Sequence, residues 1–409
     1  MGTHQGSLSP TRANLALATL FVGMFVMGGT ELLVVGLLDL IAADLRVSIP
    51  ATGALVTAYA LGLAIGGPIL TALTIRLNRR TVLVGALALF VLSSLITVLT
   101  TSYGVVVASR AVTGALEGLF IAAAFAAGIA AVPPARAGRA MAVVISGAAV
   151  SGALGAPVGT LLGQALGWRG AFTAVGGVAV AALVATLVLV PSAPSAGDGA
   201  VRQARSAFAP RVLAVLGLTV LVFAAVYAPL TYIVPFLQSV TGISGALVSV
   251  FLLAYGVATA VGSFGGGRFA DANAARTLTV GTAGVAACLL MLYVAGTSAV
   301  PVAVALLALG LFAMGMAPSM QYRVVSLAGP GDTLAQSLPA SAAGLGTALG
   351  SFAGGMAIGA FTASTAVLTG LVIAVLGIPA AWAASFLRPP TVGAATSPAA
   401  VPEPARIPA

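Results

Sequence analysis

Apolar runs of about 18–25 residues alternate along the chain with short polar turns, and each run is long enough to cross a hydrocarbon core of about 30 Å as a helix. Twelve runs are predicted, at about 14–38, 51–75, 81–99, 104–131, 141–165, 171–191, 212–237, 244–267, 277–295, 299–321, 334–359 and 364–386. Period-two alternation is absent, which argues against a β-barrel. The 51 glycines are spread through the runs, as suits helices whose backbones approach closely in lipid. The expected fold is therefore an all-α membrane protein. The first run contains Glu31 and is too long for a signal-peptide core, so it reads as a retained helix.

One long polar interruption, SAPSAGDGAVRQARSAFAP at 192–210, divides six runs from six. It predicts a cytoplasmic linker between an amino-terminal six-helix bundle at 14–191 and a carboxy-terminal one at 211–386. A cytoplasmic tail at 1–13 and a disordered cytoplasmic tail at 387–409, rich in Pro, Ala and Thr, complete the chain.

The halves are related without a gap by a shift of 196 residues. AYALGLAIGGPILTALTIRLNRRTVLVGA at 58–86 overlays AYGVATAVGSFGGGRFADANAARTLTVGT at 254–282, so that Tyr59 meets Tyr255, Gly66 meets Gly262 and Arg80 meets Arg276. A parallel repeat of six helices predicts two pseudo-symmetric bundles that rock about a site near the membrane midplane.

Composition narrows the chemistry. With 60% hydrophobic and 6% charged residues the chain is too apolar for a soluble protein of this size. The net charge of +9 would suggest nucleic-acid binding, but all 17 basic residues are arginines and almost all lie on one side of alternating spans. Only Arg46 and Arg169 fall in turns on the other side, and the positive-inside rule then puts both termini in the cytoplasm of a multi-pass inner or plasma membrane protein. The single histidine, His4, and the single cysteine, Cys288, leave no residues for a metal centre, a Ser-His-Asp triad or an intrachain disulfide.

Three of the eight acidic residues, Glu31, Asp39 and Glu117, lie inside apolar runs together with Arg110. Placing a charge at the bilayer centre costs at least roughly 2.5–3.5 kcal/mol on insertion scales, so such residues usually face a cavity and serve a substrate or proton pathway. Under the repeat they overlay Tyr227, Pro235, Ala313 and Leu306, so every such charge belongs to the first half. Arg110 and Glu117 are seven residues apart and share a helix face. Asp39 has two placements, the cavity or the outer headgroup region, and Arg110 has a second reading as an arginine snorkelling at a helix end.

Local motifs carry a family likeness. TALTIRLNRR at 71–80 resembles a degraded copy of the loop motif between helices 2 and 3 of the major facilitator superfamily. It retains Arg76, Arg79 and Arg80 but has Ile75 where the acid is usual. The second copy, GGRFADANAAR, keeps Gly267, Asp271 and Arg276. SRAVTGALEG resembles the R-x-x-x-G motif through Arg110 and Gly114, and GALGAPVGTLLGQALGWRGAF resembles the antiporter motif through Gly152, Gly155, Pro157, Gly159 and Gly163 and the Gly-Trp-Arg ending at 167–169. MGGTELLVVGLLDLIAADL is similar to the first helix of the twelve-helix drug:proton antiporters of chloramphenicol-resistance and arabinose-efflux type, with Asp39 where proline is usual.

The resemblance implies alternating access powered by a proton gradient, with no cofactor and no enzymatic activity. Expected partners are the bilayer, protons and a small-molecule substrate, with no nucleic acid, and the chain is expected to act as a monomer. Glu31, Asp39, Arg110 and Glu117 are the expected proton-coupling residues, with Arg110 tuning Asp39. Glu31 and Glu117 would meet substrate against an aromatic wall of Tyr227, Tyr232, Phe236 and Tyr255. An acidic and aromatic site suits lipophilic neutral or cationic molecules. Export of a native metabolite, such as a sugar, nucleoside or secondary product, is the alternative, whereas a facilitator or sensor would need no buried acids. Because Ile75 stands where Asp271 does, the two cytoplasmic latches are expected to be unequal.

Overall fold

In the computed structural model the described residues are 9–74, 76–133, 136–192, 209–328 and 333–388, without the side chains of 137, 138, 269–272 and 333–337. Every regular element among them is helical. The spans are α1 (Pro10–Leu45), α2 (Ile49–Leu73), α3 (Arg79–Leu99), α4 (Tyr103–Ala130), α5 (137–166), α6 (168–189), α7 (Pro210–Leu230), α8 (Ala246–Arg268), α9 (Asn273–Val294), α10 (Ala299–Ala328), α11 (Leu338–Ala360) and α12 (Ala363–Ser385). The helical stretch from Ala137 to Leu189 has 53 residues, which as one straight helix would extend about 80 Å. Gly167, at φ 71° and ψ 169°, turns the chain there and makes two spans of it, a conformation open to residues without a Cβ.

Local chemistry sets the ends. Ser9 and Ser48 cap α1 and α2 just before a proline in the first turn, where a missing N–H costs nothing. Asn78 accepts from the Arg80 N–H at the start of α3. The run expected at 212–237 is divided, because α7 stops at Leu230 and a short helix follows at Ile233–Ser239, with Pro229 and Pro235 each removing a backbone donor. The run expected at 299–321 likewise breaks at Met316, before Pro318.

Arginines do more than mark topology. At one end of the molecule, Arg80 bonds the Leu187 carbonyl at the close of α6, and Arg211 Nε donates to Leu327 O at 2.7 Å. The buried Arg323 donates to Ala384 O at 2.7 Å and Leu387 O at 2.9 Å, closing α12. A cation over the last carbonyls satisfies orphan acceptors and opposes the helix dipole.

In the first half, α1 packs along α5, α2 along α4, and α3 on α4 and the α5–α6 helix. In the second half, α7 packs on α11 and α12, and α10 on α8 and α9. The halves meet where α5 crosses α8 and α2 crosses α11. The repeat is visible in three dimensions. Gly114 of α4 lies against the Tyr59 carbonyl of α2, and its counterpart Gly310 of α10 lies against the Tyr255 carbonyl of α8.

The α2–α4 crossing positions the site. Gly62 faces the Ala111 carbonyl, Gly66 faces Ala115, and a Cβ on Gly67 would stand 2.8 Å from Gly118 Cα. Over Gly62–Gly66 the backbone of α2 is wound as a π-helix, so the helix widens where it meets its neighbour. Glycines on both helices permit backbone-to-backbone approach, and dispersion and weak polar contacts hold helices together in lipid.

We expect Gly114→Val to destabilise the purified protein by about 1–3 kcal/mol through overpacking, read as loss of monodisperse protein at lower temperature in detergent. Gly85→Ala, with nothing within 4 Å of the added carbon, should leave the melting temperature unchanged.

Candidate functional site

The α2–α4 crossing delivers Tyr59, Arg110 and Glu117 to one place beside α1. Arg110 is 1% exposed, a depth at which an unpaired charge is costly. Its Nη2 donates to the Thr30 carbonyl at 3.1 Å and its guanidinium lies 4.2 Å from the Tyr59 ring centroid, while Nε has no hydrogen-bond partner. Among the described residues the only ion pair is Asp44–Arg169, so Arg110 is held by a carbonyl and an aromatic face with both glutamates nearby.

Glu117 is buried, with Oε2 hydrogen-bonded to the Tyr59 hydroxyl. Tyr59, fully buried, also donates to Met27 O at 3.0 Å. The other Glu117 oxygen lies close to Gly28, where an added Cβ would stand 3.2 Å from Oε1 and 2.8 Å from Ser151 Oγ. The glycine before Thr30 and Glu31 therefore makes room for a carboxylate from another helix.

Glu31 is half-buried and lies beside Tyr227 of α7, so the cluster sits where the two halves face each other. Tyr255 of α8 lies in the electrostatic neighbourhood of both Glu31 and Tyr227. Glu31, Arg110, Glu117, Tyr227 and Tyr255 thus come together. Two carboxyls, one guanidinium and three phenols in an apolar setting can hold or release a proton and present both charge and ring faces to a ligand.

Asp39 lies elsewhere. Nine residues along α1 separate it from Thr30, about 13.5 Å of rise, so the expectation that Arg110 tunes Asp39 is corrected: the acids beside Arg110 are Glu31 and Glu117. Asp39 is half-buried beside Gln238, its Oδ2 buried without a partner, and it lines an open cavity of about 800 Å3 with Ser48, Pro235, Phe361 and Thr362. Tyr232 and Phe236 are sealed in packing at that same end. Tyr232 donates to Ser351 O at 3.0 Å and abuts Gly53, and Phe236 packs against Gly296.

Two further sets of motif residues have structural work. Gly155 and Gly159 lie against the Gly29 and Leu33 carbonyls of α1, and Gly163 faces Leu37 and Leu40, so this face holds the helix that carries Glu31. Gly152 faces open space, and Pro157 is buried within α5. The Gly-Trp-Arg ending clamps the far end of α1. Trp168 Nε1 donates to Asp44 at 3.1 Å, Arg169 pairs with Asp44, and Arg169 also donates to Val98 O at 3.0 Å and Thr100 O at 3.1 Å, closing α3.

Of the loop motif, Arg76 is exposed and Arg79 half-buried, and the exposed Arg276 places its N–H on Asn273 Oδ1 at 2.9 Å. Gly267 has open space around it. Ile75 and the Asp271 side chain, on which the unequal latches rest, lie outside the described residues, as do 193–208 of the linker.

Sequence reasoning missed Tyr59, Gly28 and Asp44 as working residues. Tyr59 carried one signal, its alignment with Tyr255 in the repeat. The others have neutral or terminal positions that only packing explains.

The profile described as Major Facilitator Superfamily matches residues 19–333. The chain is 33% identical over 85% of its length to the uncharacterized MFS-type transporter YtbD of Bacillus subtilis (strain 168), covering 90% of that protein. It is 31% identical over 94% of its length to the inner membrane transport protein YdhP of Escherichia coli (strain K12), covering 100% of it. Among solved structures, a bacterial homolog to the human lysosomal transporter Spinster superposes with a TM-score of 0.78 at 17% identity, over 93% of this chain and 98% of that one. The human organic anion transporter MFSD10 superposes with a TM-score of 0.66 at 16% identity, over 91% of this chain and 100% of that one.

Gly28→Val should drive a side chain into Glu117 and Ser151. We expect transport by the variant to fall at least tenfold with surface expression within twofold of wild type, measured as uptake into vesicles normalised to protein. Full activity would show that the Gly28–Glu117 approach is unimportant.

Proposed function

The chain belongs to the major facilitator superfamily and is a multi-pass membrane transporter, and from that premise we propose that it exports lipophilic neutral or cationic small molecules in exchange for protons by alternating access. The observation that carries the reading is the cluster of buried Arg110 and Glu117 with half-buried Glu31, which lies beside Tyr227 of the second half. Such a group is expensive to keep in a membrane and has no role in a passive pore.

The chemistry follows from charge. With all three groups ionised the cluster would carry one net negative charge in low dielectric, so at rest the two glutamates share a proton. A lipophilic cation entering from the arginine-rich end, which we assign to the cytoplasm by the positive-inside rule, supplies the positive charge instead and releases that proton. Tyr227 and Tyr255 offer ring faces to its apolar body and to its charge. Asp39, in the open cavity at the opposite end, collects the proton that reloads the cluster after the substrate leaves. Because Glu31 lies beside α7 and Arg110 holds α1, a change of charge in the cluster alters how the halves meet.

The test is a panel of lipophilic cations and neutral antibiotics added to everted vesicles that maintain a pH gradient, scoring which compounds dissipate it. Glu31→Gln preserves shape and removes the titratable group, so it should abolish uphill export while leaving expression intact. Wild-type uphill export by that variant would sink the reading. Arg110→Ala should abolish export and Arg110→Lys should retain part of it, because lysine keeps the charge but lacks the planar fork that bonds a carbonyl while stacking on a ring.

A further inference from the structure

Tyr59 has a single hydroxyl proton and two oxygen neighbours, Met27 O at 3.0 Å and the Glu117 carboxyl. Met27 O can only accept. A phenol donates once, so both contacts are hydrogen bonds only when Glu117 carries a proton and donates it toward Tyr59, which in turn donates to Met27 O. With Glu117 ionised, the Tyr59 proton turns to the carboxylate, because a bond to a charged acceptor is roughly twice as strong as one to a neutral carbonyl. Met27 O then loses Tyr59 but keeps Thr30 Oγ1, at 2.9 Å, so the bond to α1 can be given up and remade at little cost.

The geometry points to Tyr59 as the positioning residue that converts the protonation of Glu117 into a mechanical tie between α2 and α1. The inference rests on the proton-exchange reading and adds a part to it. When Glu117 is protonated, α1 is tied at Met27, one turn before Glu31. When the proton leaves for the cavity, the tie opens while the Tyr59 ring stays beneath Arg110. No covalent bond to the phenol oxygen is made or broken; the phenol gives up the hydrogen bond it accepted from Glu117, and its O–H rotates from carbonyl to carboxylate. The charged and titratable groups facing Glu117 are Glu31 of α1, Tyr59 of α2, Arg110 of its own helix and Tyr227 of α7, with the Ser151 hydroxyl from α5. Among these, the Tyr59 hydroxyl alone is hydrogen-bonded to both Glu117 and the α1 backbone.

Tyr59→Phe isolates the hydroxyl, since the ring, its packing and its contact with Arg110 remain. In infrared spectra of the purified full chain, the carbonyl stretch of the protonated acid that disappears in Glu117→Gln should move to higher frequency in Tyr59→Phe, because the acid has lost its acceptor. The pH midpoint of substrate-induced proton release should move about one unit toward alkaline, because the ionised form loses the stronger bond. Uphill export should fall at least tenfold with surface expression within twofold of wild type, and the shift of the pH midpoint distinguishes this loss from general misfolding.

A second measurement needs no change at Tyr59. The Glu117→Gln amide donates permanently, so backbone amides at 27–31 should stay protected from deuterium exchange at all pH, whereas in wild type they lose protection as pH rises. Wild-type infrared frequency in Tyr59→Phe, or the same pH-dependent exchange in Glu117→Gln and wild type, would overturn the inference. If no substrate moves protons in wild type, the transport reading fails, and the infrared and exchange comparisons still decide the Tyr59 tie. If wild type couples protons and neither comparison changes, the tie alone fails.

Discussion

A guanidinium sealed inside a membrane bundle must be met by lone pairs, negative charge or ring faces, and the first half is organised around meeting that need for Arg110. The Thr30 carbonyl, the Tyr59 ring and two carboxyls surround it, and they come from α1, α2 and α4. Three helices can converge on one side chain only if their backbones come close. Gly62, Gly66, Gly67, Gly114 and Gly118 permit that approach for α2 and α4, and Gly155 and Gly159 do so for α5 against α1. The glycine pattern and the buried charges therefore express one constraint. The glycines supply the proximity that the charges need.

The second half shows what the same scaffold does without charges. Gly310 reproduces the close approach of Gly114, and Tyr255 stands where Tyr59 does, but Leu306 and Ala313 replace Arg110 and Glu117. Its contribution is a pair of phenols, Tyr227 and Tyr255, that lie near Glu31. The result is an asymmetric site in a symmetric frame, with the charged groups in one half and the phenols facing them in the other. The clamps at the ends, Asp44 with Trp168 and Arg169 on one side and Arg323 over α12 on the other, tie helices together within each half.

Much of this was legible in the sequence because lipid imposes simple rules. Apolar run length yields twelve spans, and rare intramembrane charges point to Glu31, Arg110 and Glu117. Depth along a helix was harder to judge. Arg110 seemed close to Asp39 because both lie near helix ends, yet α4 meets α1 at Thr30, about two and a half turns away. Tyr232 and Phe236 are expected in the aromatic wall with Tyr227 and Tyr255, but the break after Leu230 turns them into packing at the Asp39 end. The roles of Tyr59 and Gly28 depend on which helices touch, which hydropathy does not encode.

The central claim is that the Glu31–Glu117 pair holds a proton that the substrate displaces. Its most direct test is to add a bound lipophilic cation to purified protein in lightly buffered detergent containing a pH-indicator dye. Wild type should acidify the medium in step with binding, and Glu31→Gln/Glu117→Gln should bind without releasing protons. Saturable binding to wild type with no acidification, or equal acidification by the double variant, would contradict the account.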